Sequence, residues 1–346
     1  MNDVLRTRRQ MALGLGAGLA APALAPPSLA MAAPDPGLRA INRPIVAAVK
    51  PSDLAPNQTI ETSHDVYRRM TAPVFINDQG PYFFVVDTGA NRTVISRELS
   101  TMLGLQAGET MQLNGVADVM TTPTVVAPRV RVGGRVEKDV VMPTLPEAAI
   151  GAAGLLGVDR LGDRKLRLDF RKRELTVGPS IYEEPEPFTT IVPARRRAGQ
   201  LIIVQADLAG IPVAAFIDSG AERTIGNAAL MDLTVQRLPS TKLYEVPIIS
   251  VTGTTIPGRI ALLPVLRMGS VRLVNIPMTF ADLHIFQIWG LTAPAVLVGM
   301  DALSTFDAVT IDFGRAQVGF QLVPGPHTNG YPTREDTSRR IERWGK

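Results

Sequence analysis

Residues 83–96 read FFVVDTGANRTVIS, and residues 215–227 read AFIDSGAERTIGN. A chain that writes one unusual sentence twice is constrained before any other feature is weighed, because an internal repeat fixes the architecture. Two further landmarks pair in the same order: Leu156-Gly157-Val158-Asp159 with Val298-Gly299-Met300-Asp301, and Leu168-Asp169-Phe170 with Ile311-Asp312-Phe313. The three offsets are 131, 142 and 143 residues, so the second copy gains 11 residues between its first and second landmarks. This is duplication of one lobe, not a solenoid of many short repeats.

The text of each copy is β-rich. In the first, VFIND, a break at Gln79-Gly80 and PYFFVVD read as a hairpin. SRELSTMLGL over 96–105 reads as a short helix with a serine start. Strands then alternate around Asn114-Gly115 and Gly133-Gly134, and LRLDFRKRELTV closes the copy as another hairpin. The second copy repeats the order, with a hairpin around Ala209-Gly210, GNAALMDLTV in place of the short helix, and VTIDFGRAQVGF at the close. GPSIYEEPEPFTT, rich in Pro and Glu, reads as the link between copies. The run Ala194-Arg195-Arg196-Arg197 reads as a solvated turn.

The repeated phrase also carries chemistry. An apolar strand ends in a carboxylate, followed by a hydroxyl and then a Gly that lets the backbone turn tightly. One such site is a rigidly held acid, and an isolated Asp-Thr/Ser-Gly turn is common at strand ends. Two of them, brought together by a pseudo-twofold axis, make a dyad of Asp87 and Asp218. Carboxylates about 3 Å apart cannot both ionise easily and share one proton. The ionised member can take a proton from water while the protonated member polarises a scissile carbonyl.

On these residues the chain resembles the retropepsin-like aspartic peptidases: an apolar pair, Asp-(Thr/Ser)-Gly-Ala, and a downstream Leu/Val-Gly-x-Asp. It is similar to bacterial exported members with two such lobes in tandem, the PerP-like type. The resemblance covers about residues 70–180 and 200–322. It implies a mainly β fold of two retropepsin-like β-barrel lobes with short helices, related by a pseudo-twofold axis. It implies Asp87 and Asp218 as catalytic aspartates, Thr88 and Ser219 as interlobe hydroxyls, Gly89 and Gly220 as turn glycines, and Gly157 and Gly299 where the second motif crosses the first. It also implies hairpin flaps over an extended substrate, at Asn114, Gly115 and Val116 and at Val251, Thr252 and Gly253. Residues 111–121 and 249–256 contain no Tyr, unlike a pepsin-type flap. Arg92 and Arg223 follow the motifs in both copies and are expected to be structural ion-pair partners. Asp159 and Asp301 are expected to hold loops or helix starts, and Trp289 to lie in the core or line the cleft.

Composition narrows the chemistry further. The chain has no cysteine, which removes disulfides, thiol nucleophiles and thiolate metal sites. Its three histidines, His64, His284 and His327, are far apart in sequence, and no Gly-x-Ser-x-Gly elbow is present. No cofactor and no metal are expected. The net charge of +4 comes from residues 1–34 and 325–346, leaving the body near neutral, so nucleic-acid binding gains no support.

The start, with Arg8-Arg9, an apolar run to about Leu24 and the small residues Ala30-Met31-Ala32, resembles a twin-arginine export signal. The expected organisation is an export signal over 1–33, an arm over 34–66, a first lobe over 67–182, a second over 183–324 and a polar tail over 325–346. The expected protein is a periplasmic monomer with no membrane span after signal removal. Its substrate would be a polypeptide, either a periplasmic protein or the ectodomain of a membrane protein. A peptide-binding module that keeps the fold without catalysis is the alternative. A glycosidase is disfavoured, since its carboxylates sit about 5 Å or more apart.

Overall fold

The computed structural model describes residues 58–61, 63–64, 69–115, 119–160, 163–197, 200–203, 205–250 and 254–322. The export segment and the polar tail lie outside the described residues. The molecule is mainly β, with short helices, as in acid-protease β lobes.

The first hairpin pairs Met70–Ile76 with Gln79–Val86. Its turn is Asn77-Asp78, at φ 52° and 62°, and not the Gln79-Gly80 break expected from sequence. Asn and Asp tolerate left-handed backbone, and a two-residue turn of that hand matches strand twist. Val74, Ile76, Phe84, Val85 and Val86 are all buried.

The Gly154–Leu156 strand then inserts beside Gln79–Val86 in parallel, with Leu156 opposite Val86, and pairs Val94–Ser96 antiparallel on its other side. The second copy repeats this. Ala295–Val298 lies parallel to Ala214–Ile217 and antiparallel to Ile225–Gly226. Long antiparallel pairs follow in each: Thr124–Val132 with Arg135–Leu145, and Thr255–Met268 with Val271–Phe280. Among the short helices are Arg97–Met102, capped by Ser96, and Ala228–Arg237, capped by Asn227.

Between the copies lies a sheet that both build. Its order is Gln58–Glu61, Glu174–Gly178, Lys165–Asp169, Ala308–Asp312, Gln317–Gln321 and Thr189–Arg197. At its centre Lys165 faces Asp312, Arg167 faces Thr310 and Asp169 faces Ala308. Arg167 and Thr310 are themselves 143 residues apart, the repeat offset. The register is therefore that of a strand paired with its own copy about a local twofold. The Arg195–Arg197 run ends the Thr189–Arg197 strand and pairs with Gln200–Ile203, so it is strand and not a turn. Arg196 meets Asp163 there, and Arg197 donates to the Gly290 carbonyl at 3.0 Å.

Candidate active site

Asp87 and Asp218 are each the first residue past a strand whose last three residues are buried. Each continues the pairing with the inserted strand by one bond: the Asp87 N–H donates to the Leu156 carbonyl and the Asp218 N–H to the Val298 carbonyl, both at 3.0 Å. The chain then turns back on the carboxyl. Gly89 and Ala90 N–H groups both donate to Asp87 Oδ1 at 2.9 Å. Gly220 and Ala221 N–H groups donate to Asp218 Oδ1 at 2.9 and 3.3 Å. One oxygen of each acid is thus fixed by backbone, and the second is left for chemistry.

The hydroxyls lock the two turns together reciprocally. Thr88 Oγ1 donates to the Ile217 carbonyl at 3.0 Å and accepts the Ser219 N–H at 3.0 Å. Ser219 Oγ donates to the Val86 carbonyl at 2.7 Å and accepts the Thr88 N–H at 3.2 Å. Both hydroxyl protons are then committed to carbonyls, so the 3.3 Å approach of the two oxygens is packing and carries no proton.

Gly89 and Gly220 have an explanation other than the expected tight turn. Neither has a positive φ. A Cβ on Gly89 would lie 2.4 Å from Asp218 Oδ2, and one on Gly220 would lie 2.2 Å from the Asp87 carboxyl carbon. Each glycine leaves the space in which the opposite acid sits.

The two carboxyls lie close enough to shift each other's titration. Burial, and then the Asp87 charge, push Asp218 up to about 8. Burial also raises Asp87, opposed by the Ala90 N–H, the Arg69 guanidinium and the Gly89 N–H. The pair therefore keeps a proton at neutral pH.

A second ring of contacts is also duplicated. Thr93 donates from N and Oγ1 to Asp159 Oδ1 and accepts the Gly157 N–H. Thr224 Oγ1 donates to Asp301 Oδ1 at 2.7 Å and accepts the Gly299 N–H at 3.2 Å. Asp159 and Asp301 thus brace the crossing. Burial raises Asp301 to about 6. A Cβ on Gly157 would meet the Arg92 backbone at 2.6 Å, and one on Gly299 the Arg223 carbonyl oxygen at 2.4 Å. The two arginines therefore matter first through their main chains. Arg223 faces Glu222 at 3.9 Å, and its charge also acts on Asp301.

Of the expected flap residues, Asn114 ends the Met111–Asn114 strand opposite Val119, and Gly115 follows it. Val116, Val251, Thr252 and Gly253 lie outside the described residues. The second hairpin pairs Tyr244–Ile249 with the start of Thr255–Met268, Ile249 facing Thr255. Leu113 and Met120 pack on Val85, Leu145 and Ile150; Ile248 and Ile256 pack on a larger cluster with Phe216 and Trp289. Trp289 is buried, stacked on Phe216 with ring centres 4.6 Å apart.

No sequence motif marks Arg69. It is 6% exposed, donates through Nη2 to the Ile150 carbonyl at 2.5 Å and reaches the Gly220 carbonyl at 3.5 Å. It therefore links the first copy to the Asp218 turn. An arginine in a run of two ahead of a strand reads as solvated, and its burial comes from neighbours distant in sequence.

Strand-end carboxyls brought side by side in a mainly β molecule are consistent with an acid-protease arrangement. Residues 72–160 match the model of the aspartyl protease family, a span that contains Asp87, Thr93, Gly157 and Asp159. That match supports a retropepsin-like aspartyl protease family. No curated protein matches the chain.

Proposed function

We propose that the protein is an aspartic endopeptidase of the exported, two-lobed kind, with Asp87 and Asp218 as one dyad. The carrying observation is the reciprocal lock of Thr88 and Ser219, which holds two similarly cradled carboxyls side by side. In this reading the ionised member accepts a proton from a water lying between them. The protonated member donates to the scissile carbonyl as the water adds, and proton return to the leaving nitrogen completes hydrolysis. The hairpin tips at Asn114-Gly115 and beyond Ile249 close over the substrate and pair with its extended backbone as an added strand.

The test is turnover of an unfolded polypeptide by the purified protein, with and without a pepstatin-type inhibitor. Asp87→Asn and Asp218→Asn should each lose about 10²–10⁴-fold in kcat, the usual worth of a general acid or base. The double variant should lose little more, because the two act as a unit. Near-native turnover by either single variant would sink the dyad. Tight peptide binding without cleavage would point to the non-catalytic module.

The Arg8-Arg9 start supports export to the periplasm, where the substrate would be a periplasmic protein or a membrane-protein ectodomain. Replacing Arg8 and Arg9 with lysines should leave the protein in the cytoplasmic fraction. Unchanged export would remove the twin-arginine route.

A further inference from the structure

The two aspartates are duplicated, but their surroundings are not. Asp218 is 6% exposed, whereas Asp87 is only half-buried. Asp87 Oδ1 accepts two N–H groups at 2.9 Å, while at Asp218 Oδ1 the second donor stands off at 3.3 Å. Both differences favour charge on Asp87, since solvent and hydrogen bonds stabilise the ionised form.

The largest difference is a cation. Arg69 lies 18 residues before Asp87, and the residue 18 before Asp218 is Gln200. The strands that follow keep one register, Thr71 facing Val85 in the first copy and Ile202 facing Phe216 in the second. Position 69 therefore answers to position 200, and a charged residue stands where its copy has a neutral one. Arg69 is buried, donates through Nη2 to the Ile150 carbonyl at 2.5 Å, and reaches the Gly220 carbonyl through Nη1 at 3.5 Å. Gly220 is the residue packed on the Asp87 carboxyl, for a Cβ there would lie 2.2 Å from the carboxyl carbon. The bridge to the second copy thus sets a positive charge beside Asp87, where it opposes the rise that burial causes. On Asp218, burial and then the Asp87 charge both act upward. The other acids at the crossings, Asp159 and Asp301, accept from Thr93 and Thr224.

We propose that Arg69 assigns the two roles in the dyad, holding Asp87 as the ionised base and leaving the proton on Asp218 as the acid. The roles rest on the peptidase reading; the placement of the charge does not. Arg69 is a positioning residue, acting through Asp87.

The test therefore has an arm without turnover. In the full-length protein, carbon-13 NMR of the aspartate carboxyls follows Asp87 in Asp218→Asn and Asp218 in Asp87→Asn, each resonance assigned by its loss in the double variant. Asp87 should titrate at the lower pH, by about one pH unit or more, as an adjacent arginine commands. Arg69→Gln, which writes the second copy's residue into the first, should raise the Asp87 titration by about that much and move Asp218 less. Arg69→Lys keeps the charge and should leave Asp87 near its parent position. In turnover, Arg69→Gln should shift the acid limb of the kcat/KM profile upward and leave the alkaline limb, the loss of the remaining proton, nearly in place. Asp218 titrating at or below Asp87 would overturn the proposal. So would no shift in Arg69→Gln, or equal shifts in the glutamine and lysine variants, which would mark a purely structural contact. The first comparison leaves Arg69 unchanged, so it decides even if neither Arg69 variant folds. The expected titration without cleavage would sink the peptidase reading and leave the charge on Asp87; cleavage with the order reversed would sink the present proposal alone.

Discussion

Asp218 is held among buried neighbours beside a second acid, and that setting acts on the stability of the folded molecule as well as on its chemistry. Its carboxyl is raised from the ordinary 3.8 to about 8, and Asp301 is raised to about 6. Between these limits the folded chain holds protons that the unfolded chain has released, so stability is greatest on the acid side and falls as pH rises. Asp218→Asn removes one of those groups. In urea unfolding the variant should gain on the parent as pH moves from about 4 to about 8, and a constant gap across that window would contradict the raised pKa. Peptidase activity should fall as the shared proton is lost, placing the alkaline limb of the pH profile in the neutral to mildly alkaline range. The glycines give a sharper residue-scale test. Gly89→Ala or Gly220→Ala puts a methyl within 2.4 Å of the opposing carboxyl group. Each should abolish cleavage and pepstatin-type binding together; a fully active alanine variant would mean that the acids do not approach as described.

Among the elements, the inserted strands are the critical ones, because each threads between two others and carries the carbonyl that fixes an aspartate. Gly157→Ala and Gly299→Ala force a Cβ into the main chain of Arg92 or Arg223. Overpacking of this kind costs about 1–3 kcal/mol, and more where backbone cannot yield, to be read as a fall in urea midpoint. At the first flap, Gly115→Val should reduce turnover more than melting temperature; equal losses would mark Gly115 as purely structural. Much of this level could be read from sequence, since its signals are local. Ser96 announced its helix, Gly133-Gly134 and Ala209-Gly210 sit at two-residue turns, and the Gly-x-Asp motifs marked the crossings. What escaped depends on distant partners. Gln58–Glu61 is a strand inside an otherwise unpatterned arm because Glu174–Gly178 offers it an edge. The Arg195–Arg197 run is strand because Gln200–Ile203 pairs with it. Arg69 and Arg164 are buried by tertiary packing, which no charge pattern along the chain conveys.

For the whole molecule, both aspartates come from one chain, so activity per chain should stay constant on dilution. A steep loss at low concentration would show that lobes pair between chains. The shared sheet has a further consequence. Its Lys165–Asp169 and Ala308–Asp312 strands meet in the register of a self-paired element, while the buried clusters under the two hairpins differ. Val85 in the first cluster corresponds to Phe216 in the second, where Phe216 stacks on Trp289. In a perfectly symmetric site a peptide laid down forwards or backwards meets the same surroundings. A peptide held by the proposed dyad would therefore meet two differently supported hairpins, Leu113 and Met120 resting on the Val85 cluster and Ile248 and Ile256 on the Phe216–Trp289 cluster.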